Sequence, residues 1–307
     1  MNLMHLKYAV VIAETNSMTK AAKKLYTAQP NLSRAMRVLE NTLGITIFNR
    51  TSHGIYPTPE GEEFLGYARK ILTQVDEIEE IYRGGDKKSL KFSISVPRAS
   101  YISCAFTEFI KDMNADSGAE IFYKETNALR AIKNILDSDY RLGIIRYHDV
   151  YDDNFRELLT KNGLNYEIIF EFRYMLLFSA KHPLASKSEI SLSDLPPYTE
   201  IAHADPFVPS MPLSTVRKNE LSDDVDKHIF VFERGSQMDL LSESPSTFMW
   251  VSPVPQRLID RYGLVQRNCP DNNKKYRDVL IYKKGYSLTE ADKDFIEKLM
   301  NIRRKLM

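Results

Sequence analysis

Residues 17–40 read SMTKAAKKLYTAQPNLSRAMRVLE, and this stretch decides how the N-terminal part of the chain folds. Ser17 can cap a helix whose buried side includes Ala21 and Leu25. After a short break Pro30 opens another helix, because proline is tolerated in a first helical turn. The apolar residues of this second helix step by four, three and four positions, at Leu32, Met36, Leu39 and Leu43. The stretch therefore predicts two helices joined by a tight turn.

A further helix precedes this pair, and a strand pair follows it. Apolar residues at helical spacing predict a first helix that ends near Asn16, and these are Leu3, Leu6, Val10 and Ala13. Residues 45–48 and 54–56 predict two short strands around a turn at 50–53. Together they predict an all-α helix-turn-helix domain with a small wing over residues 1–58.

Charge is concentrated in this N-terminal segment. It carries seven Lys and Arg against two Glu, a net charge of +5, whereas the rest of the chain carries −4. Such an asymmetry favours a polyanionic partner. Polar side chains at the start of a second helix suit the major groove of DNA, where they reach base edges and phosphates. A small three-helix bundle whose polar face is only solvated fits the periodicity equally well.

Six motifs occur in order over residues 1 to about 85 and carry a specific resemblance. They are 17–25, 29–34, 39–40, 43–44, 48–50 and 58–61. With them the chain resembles the LysR-type transcriptional regulators, which implies sequence-specific binding of double-stranded DNA. The family usually has Ser or Thr directly before Gln29, whereas this chain has Ala28, and Thr27 is expected to replace that contact. DNA contacts are expected at Thr27, Gln29, Pro30, Asn31, Ser33, Arg34, Arg37 and Arg50.

A long helix is predicted next, over a linker segment at 59–87. Thr58, Pro59 and Glu60 supply an N-cap, a first-turn proline and a first-turn acid. Apolar residues then alternate four and three positions apart, at Phe64, Ala68, Ile71, Val75, Ile78 and Tyr82. Such a heptad seam favours dimerisation, with packing on its own chain as the alternative. The resemblance implies a homodimer through this helix, and often a homotetramer.

From residue 88 onwards, β-branched runs alternate with helical segments, as in α/β domains. The predicted strands are Leu90–Val96, Glu120–Lys124, Leu142–Arg146, Ile168–Ser179, His228–Phe232, Phe248–Ser252 and Val279–Tyr282. The last helix is expected to begin with Ser287, with Glu290 completing a capping box. The resemblance implies an effector domain at 88–307 with two lobes like periplasmic binding proteins. We expect lobe one at 88–164 and 269–307, and lobe two at 165–268.

A ligand site is expected in the cleft between these lobes. The segment 97–101 follows the first strand and opens a helix, whose free N–H groups can bind a carboxylate or similar anion. With the resemblance, effector contacts are expected at Ser100, Tyr101, Asn127, His203 and Phe248. The structural alternatives are a helix cap for Ser100, a surface loop for His203 and core for Phe248. Phe248 adds bulk where the family tends to have glycine, so the cleft is expected to be smaller or more apolar, and a small carboxylate is not to be assumed.

Other chemistries find little support in the sequence. It has no P-loop, nucleophile elbow or zinc-protease motif, and neither a metal site nor a cofactor is expected. Ser17 and Lys20 spell the Ser-x-x-Lys of some serine acylases, and a redox role for Cys104 and Cys269 stays open. The absence of a long apolar run and of a secretory leader favours the cytoplasm.

We therefore expect a LysR-type regulator and not an enzyme. Its expected partners are double-stranded DNA, a small-molecule effector for which an anion is one candidate, and RNA polymerase as a further candidate. The alternative is a small-molecule binding module without sequence-specific DNA recognition.

Overall fold

The computed structural model of the chain describes residues 2–51, 54–82, 90–113, 118–138 and 140–307, with residues 50, 70, 73, 76, 77 and 79–82 described by their backbone only. The chain divides into two units, Met1–Asp86 and Lys87–Met307. Within the described ranges, no helix is long and apolar enough to cross a lipid bilayer.

The N-terminal unit consists of helices and a strand pair, in the order that the sequence predicts. They are α1 (Leu3–Thr15), α2 (Met18–Lys24), α3 (Gln29–Leu43), β1 (Phe48–Thr51), β2 (Gly54–Pro57) and α4 (Pro59–Tyr82). Their apolar faces meet in one core, where Ile12, Leu32, Met36 and Leu39 are each at most 1% exposed. Burial of these side chains supplies the main favourable free energy of folding for this unit.

Local chemistry defines the helix ends in this unit. The Ser17 hydroxyl oxygen accepts a hydrogen bond from the N–H of Lys20 at 3.4 Å, which confirms Ser17 as the cap of α2. Tyr26, with φ of 48°, turns the chain between α2 and α3. Gly44, with φ of 71°, ends α3 in the left-handed conformation that glycine adopts without steric cost.

The wing differs from its prediction. β1 begins at Phe48 and not at residue 45, because the carboxylate of Glu40 accepts hydrogen bonds from the N–H groups of Ile47 and Phe48, at 2.8 and 3.2 Å. These N–H groups are held by a side chain of α3 and are not available for strand pairing. Arg50, predicted in the turn, lies in β1 opposite Ile55. The rest of the predicted turn, residues 52 and 53, falls outside the described residues.

The start of α4 is tied to the wing on both sides of Thr58. The Thr58 hydroxyl accepts a hydrogen bond from the N–H of Gly61 at 2.8 Å, as the predicted N-cap requires, and donates one to the carbonyl oxygen of Thr46 at 2.6 Å. Gly61 lies so close to the chain before β1 that an added Cβ would be 2.1 Å from the carbonyl oxygen of Ile47. The helix-turn-helix and α4 are therefore joined by direct backbone contact. The predicted end of α4 near Arg83 lies outside the described residues.

Replacing Gly61 with alanine is expected to destabilise the N-terminal unit by about 1–3 kcal/mol, the usual cost of overpacking. The clash is with backbone, which cannot move aside as a side chain can. Gly66 on the same helix is the matched control, because a Cβ added there would have no neighbour within 4 Å. At Gly66 alanine should stabilise by about 0.5–1 kcal/mol. Thermal unfolding followed by circular dichroism measures both, and equal effects of the two substitutions would contradict this account of Gly61.

The C-terminal unit alternates strands and helices. Its first part contains β3 (Leu90–Val96), α5 (Ser100–Lys111), β4 (Ala119–Glu125), α6 (Ala128–Asp137), β5 (Leu142–His148), α7 (Asp152–Lys161) and β6 (Leu164–Arg173). Its middle part contains β7 (Met175–Ser179), β8 (Thr199–His203), α8 (Leu213–Glu220), β9 (His228–Val231), α9 (Arg234–Glu243), β10 (Thr247–Val251), α10 (Gln256–Tyr262) and β11 (Leu264–Arg267). The chain closes with β12 (Lys275–Lys283) and α11 (Glu290–Arg304).

These strands form two sheets, each the centre of one lobe. The sheet of lobe one has the order β4-β3-β5-β12-β6, and that of lobe two has the order β11-β7-β10-β8-β9. In lobe one β3 lies parallel to β4 and β5, while β12 runs antiparallel to β5 and β6. The predicted fold class is confirmed: a winged helix-turn-helix, a long helix, and an α/β domain of two lobes.

Two predictions for this domain are wrong in detail. The single strand predicted at 168–179 is two strands, β6 and β7, which belong to different sheets and separate at Tyr174. Lobe one therefore extends through residue 173, beyond the expected boundary at 164. The cap of α11 is Thr289 with Asp292, not Ser287 with Glu290, because the Thr289 hydroxyl and the Asp292 carboxylate bond each other's N–H groups.

Candidate functional site

The recognition surface predicted for DNA lies on the N-terminal half of α3. Gln29, Pro30, Asn31, Arg34 and Arg37 are exposed, while the opposite side of the helix is buried in the core of the unit. Ser33 and, in the preceding turn, Thr27 are partly exposed. Neither arginine pairs with a carboxylate of any described residue. The structure thus brings seven of the predicted contacts to one face, whereas the side chain of Arg50 is outside the description.

Tyr26 is a residue of this surface that sequence reasoning missed. Its side chain is 99% exposed in the turn before α3, and its backbone is in the left-handed region, where residues with a Cβ are uncommon. An exposed aromatic residue in a strained turn carries no periodic signal in the sequence. It places a phenol group beside Thr27, at the edge of the recognition surface.

The first turn of α3 has no side-chain cap. Ala28 occupies the N-cap position with extended backbone and no side-chain hydrogen bond. Ala28→Ser is expected to stabilise the N-terminal unit by about 1 kcal/mol, because a hydroxyl can accept a hydrogen bond from the first turn. Thermal unfolding tests this, with Ala28→Val as the control that adds bulk without an acceptor. Equal stability of the serine and valine variants would exclude a capping effect.

The predicted seam of α4 divides into an inner and an outer part. Phe64 packs against the helix-turn-helix core and Ala68 is fully buried, so these two positions are used within the unit. Ile71 and Val75 are partly exposed, and Ile78 is 56% exposed. The side chain of Tyr82 lies outside the description. The part of the seam that is open to a partner therefore begins at Ile71.

A cavity of about 130 Å³ lies in the cleft between the lobes. It is lined from lobe one by Arg98, Asn127 and Arg146, and from lobe two by His203 and Asp205, among others. Proximity of these residues depends on the fold, since Arg98 and Asp205 are separated by 107 positions in the sequence.

Asp205 ties the two lobes together across this cavity. Its carboxylate accepts two hydrogen bonds from the guanidinium of Arg98, at 2.8 and 3.3 Å. Nδ2 of Asn127, the N-cap of α6, donates to the carbonyl oxygen and a carboxylate oxygen of Asp205, at 3.0 and 3.1 Å. A carboxylate of the chain itself thus occupies the anion position beside the α6 N-terminus. Bidentate pairing of this kind is among the stronger polar contacts in proteins.

A second charged pair lies deeper in lobe one. Arg146 donates to both carboxylate oxygens of Asp278, at 2.7 and 2.6 Å, and the Tyr101 hydroxyl donates to the same carboxylate. Burial alone would lower the pKa of Arg146, but Asp278 more than reverses this and raises it. Burial, with Asp278 next, raises the pKa of Tyr101 well above its usual range. Both groups therefore keep their protons across the physiological range.

Three of the five predicted effector contacts do not line the cavity. Ser100 is a buried first residue of α5, and the N-cap is Ala99, so the capping alternative for Ser100 is also wrong. Tyr101 is fully buried and points to Asp278. Phe248 is fully buried in β10 and packs in the core of lobe two, as its structural alternative expected. These residues were predicted from their positions in the family pattern, but each side chain is buried in the protein core and does not face the cavity.

Asn127 and His203 do line the cavity. Burial, followed by the charge of Arg98, lowers the pKa of His203 to about 3, so its imidazole is neutral at pH 7. Its Nδ1 atom finds no hydrogen-bond partner among the described residues. Both residues therefore stay predictions for ligand contact. Sequence reasoning missed Arg98, Arg146 and Asp205, and no local motif marks them.

The remaining hypotheses concern sulfur, metal and acyl chemistry. Cys104 lies in lobe one, whereas Cys269, expected in lobe one with 269–307, packs in the core of lobe two, so that predicted boundary is wrong. Both are buried free thiols, and Nε of Arg257 donates to Sγ of Cys104 at 3.2 Å. A redox role for them stays a hypothesis. No group of His, Cys, Asp and Glu in the described ranges is arranged to hold a metal ion. The Ser17 hydroxyl serves as a helix cap, which accounts for the Ser-x-x-Lys spelling.

Comparison with known proteins agrees with this geometry. Residues 3–62 match the family described as bacterial regulatory helix-turn-helix protein, lysR family. The HTH-type transcriptional regulator BenM of Acinetobacter baylyi is 49% identical over 78 residues, which is 25% of this chain and 26% of BenM. The regulator AlsR of Bacillus subtilis is 26% identical over 200 residues, 64% of this chain and 62% of AlsR. The chain thus spans less than two thirds of either relative.

Solved structures share the fold over nearly the whole chain. Full-length CbnR in complex with its target DNA has a TM-score of 0.60 at 17% identity, covering 98% of this chain and 100% of CbnR. A variant of full-length OxyR from Pseudomonas aeruginosa has a TM-score of 0.59 at 16% identity, covering 99% of this chain and 95% of that one. Residues 3–62 therefore carry a helix-turn-helix domain of the lysR family, and the chain as a whole shares the fold of these solved structures.

Proposed function

We propose that the protein is a sequence-specific DNA-binding transcriptional regulator and not an enzyme. The observation that carries the proposal is the exposed side of α3. Gln29, Asn31, Arg34 and Arg37 face solvent there, while the opposite side of the helix is buried in the core of the unit. Amide and guanidinium groups at a helix N-terminus are the side chains that read adenine and guanine edges in the major groove. The lysR-family match over residues 3–62 and the regulator names of the relatives support it.

The proposed partner is double-stranded DNA, bound in the cytoplasm by a homodimer. The exposed seam of α4 at Ile71, Val75 and Ile78 offers an apolar surface for a second copy of the helix. A symmetric dimer presents two recognition helices to half-sites about 34 Å apart or a multiple of this distance. Pairing of dimers into tetramers and contact with RNA polymerase belong to the same proposal.

Control by a small-molecule effector in the cleft of the C-terminal unit completes the proposal. The cavity between the lobes is lined by charged, amide and aromatic side chains from both sheets, which suits a ligand whose binding changes the spacing of the lobes. Such a ligand regulates DNA binding only if it favours one state of the protein over another. The Nδ1 atom of His203, which has no hydrogen-bond partner among the described residues, is available to it.

Selection of genomic DNA fragments by the purified full chain tests the proposal. Fragments, including the region upstream of its own gene, are retained at moderate salt and sequenced. Recovery of a dyad-symmetric site is the expected result. Retention without any shared site, lost as salt rises, would contradict sequence-specific recognition and favour a small-molecule binding module whose basic head contacts only phosphates.

A further inference from the structure

The cleft contains both arginine and glutamate side chains, but these differ in how far an oppositely charged partner neutralises them. Its two buried arginines have carboxylate partners, Arg98 with Asp205 and Arg146 with Asp278. Such bidentate pairs leave little charge for a ligand to neutralise. An anion entering the cleft would have to displace a carboxylate of the chain itself. Arg98 and Arg146 are therefore already neutralised, whereas Arg217 on the cavity wall has no carboxylate partner among the described residues.

Two carboxylates on the other side of the cavity have no such partner. Glu200 on β8 is 2% exposed, and its Oε2 accepts a hydrogen bond from the N–H of Ser222 at 3.0 Å. Glu220, at the end of α8, accepts the hydroxyl of Tyr276 at 2.7 Å. No guanidinium or ammonium group lies within ion-pair distance of either side chain in the described ranges, and Nε2 of His228 is 3.7 Å from Glu200. Buried carboxylates are usually paired with a cation. Glu200 has only the imidazole of His228 beside it, and Glu220, which is partly exposed, has no cation within ion-pair distance among the described residues.

The pKa shifts of Glu200 and Glu220 agree with the lack of a guanidinium or ammonium partner for these two carboxylates. Burial raises the pKa of Glu200 and that of Glu220, although the charge of Lys274 acts in the opposite direction on each. Lys274 itself donates to the carbonyl oxygen of Asn219 at 2.6 Å. The charge of Lys274 is thus close enough to lower the pKa of both glutamates, but its ammonium group forms no ion pair with either of them. A cation placed between the two carboxylates would be stabilised by both.

Aromatic faces complete this side of the cavity. The rings of Tyr174 and Tyr276 stack with centroids 3.9 Å apart, so each covers one face of the other, and the guanidinium of Arg146 lies 5.9 Å from the centroid of Tyr174. Trp250 is fixed by a hydrogen bond from its indole N–H to the hydroxyl of Ser222 at 2.9 Å. All three residues line the cavity together with Glu220, and they also line an adjoining cavity of about 300 Å³. Electron-rich ring faces attract organic cations, which carboxylates alone do not distinguish from metal ions.

We infer that the cleft binds a small organic cation, a protonated amine, whose ammonium group is held by Glu200 and Glu220 against Tyr174, Tyr276 and Trp250. This inference rests on the proposed function, because it names the class of effector for the same cleft. Arg217 on the cavity wall has no carboxylate partner among the described residues, and its charge acts against a bound cation; its guanidinium donates to the carbonyl oxygen of Ala204 and lies over the ring of Phe230.

Fluorescence of Trp250 provides a direct test, because it is the only tryptophan of the chain and lies at the site. The full chain is titrated at constant ionic strength with putrescine, butanediol and succinate, which share a four-carbon chain and differ in charge. A saturable change with the diamine alone is the expected result. A saturable change with succinate, or none with any of the three, would overturn the inference.

Variants locate the binding. Glu200→Gln and Glu220→Gln keep the side-chain shape, and each is expected to weaken putrescine binding about tenfold or more, the usual loss when a charged hydrogen-bond partner is neutralised. Glu243→Gln, an exposed change on α9 in the same lobe, is the matched control and should bind like the parent protein. Putrescine affinity that is equal in all three variants would also overturn the inference.

DNA binding, measured on the same samples, tests the proposed regulator function separately from the proposed ligand class. A protein that selects a dyad-symmetric site but ignores the diamine contradicts the ligand class alone. A protein that binds the diamine without selecting any DNA site contradicts the proposed regulator and leaves the cation site in place.

Discussion

Asp278→Ala is expected to destabilise the C-terminal unit by about 3–5 kcal/mol, the usual cost of removing one partner of a buried ion pair. Asp278 is fully buried and is the acceptor for both the guanidinium of Arg146 and the hydroxyl of Tyr101. Its removal leaves a buried cation without a counter-charge and a buried hydroxyl without an acceptor. Few single substitutions in this protein should cost more.

Urea unfolding followed by Trp250 fluorescence measures this effect, because the tryptophan belongs to the same unit. Asp239→Ala, the same chemical change at an exposed position of α9, is the control and should have little effect. The double variant Arg146→Met with Asp278→Ala should recover much of the loss, because it removes the unpaired charge as well. If the single and double variants unfold at the same urea concentration as the control, the pair does not support the fold.

Arg34→Ala is expected to lower the discrimination between a specific site and a scrambled one by about 1–3 kcal/mol per half-site, or roughly 5- to 150-fold. Arg34 is exposed near the start of α3 and has no carboxylate partner among the described residues, so its guanidinium is available to a guanine edge. A symmetric dimer loses the contact twice. The loss of discrimination for the dimer, as a free energy, should therefore be about twice that for one half-site.

Lys7→Ala is the matched control for this experiment. Lys7 is exposed on α1 and contributes the same charge to the basic unit, so its loss changes the overall attraction to DNA but not base reading. Binding to both DNA sequences is measured for the two variants at one salt concentration. An equal loss of affinity for the specific and the scrambled site would place Arg34 on a phosphate, and no loss at all would remove it from the interface.

The fold was predictable where local patterns determine it. The helices of the N-terminal unit follow from apolar spacing and from caps such as Ser17 and Thr58. Each of these signals lies within a few residues of the helix that it predicts. The separation of β6 from β7 at Tyr174 was not predictable, because both strands are apolar enough to read as one. The sheet to which each strand belongs depends on partners that are distant in the sequence.

The candidate sites differ in the same way. The DNA surface lies on one helix, so its residues could be predicted from spacing and family resemblance. The cleft joins residues from both lobes, such as Asn127 and Asp205, which are 78 positions apart in the sequence. Family position suggested Ser100 and Phe248 instead, and both side chains are buried in this chain. Neither spacing nor resemblance reveals which charges are already neutralised by a distant partner.

The close contact between Gly61 and Ile47 also has a mechanical consequence. It leaves no hinge between the wing and α4, since the first turn of the helix is held by Thr58 on one side and by backbone on the other. In the proposed dimer, α4 and the helix-turn-helix of each copy then move as one rigid body. Any rotation of the paired helices turns each α3 by the same angle, so the angle at which two copies of α4 cross sets the spacing of half-sites that the dimer can span.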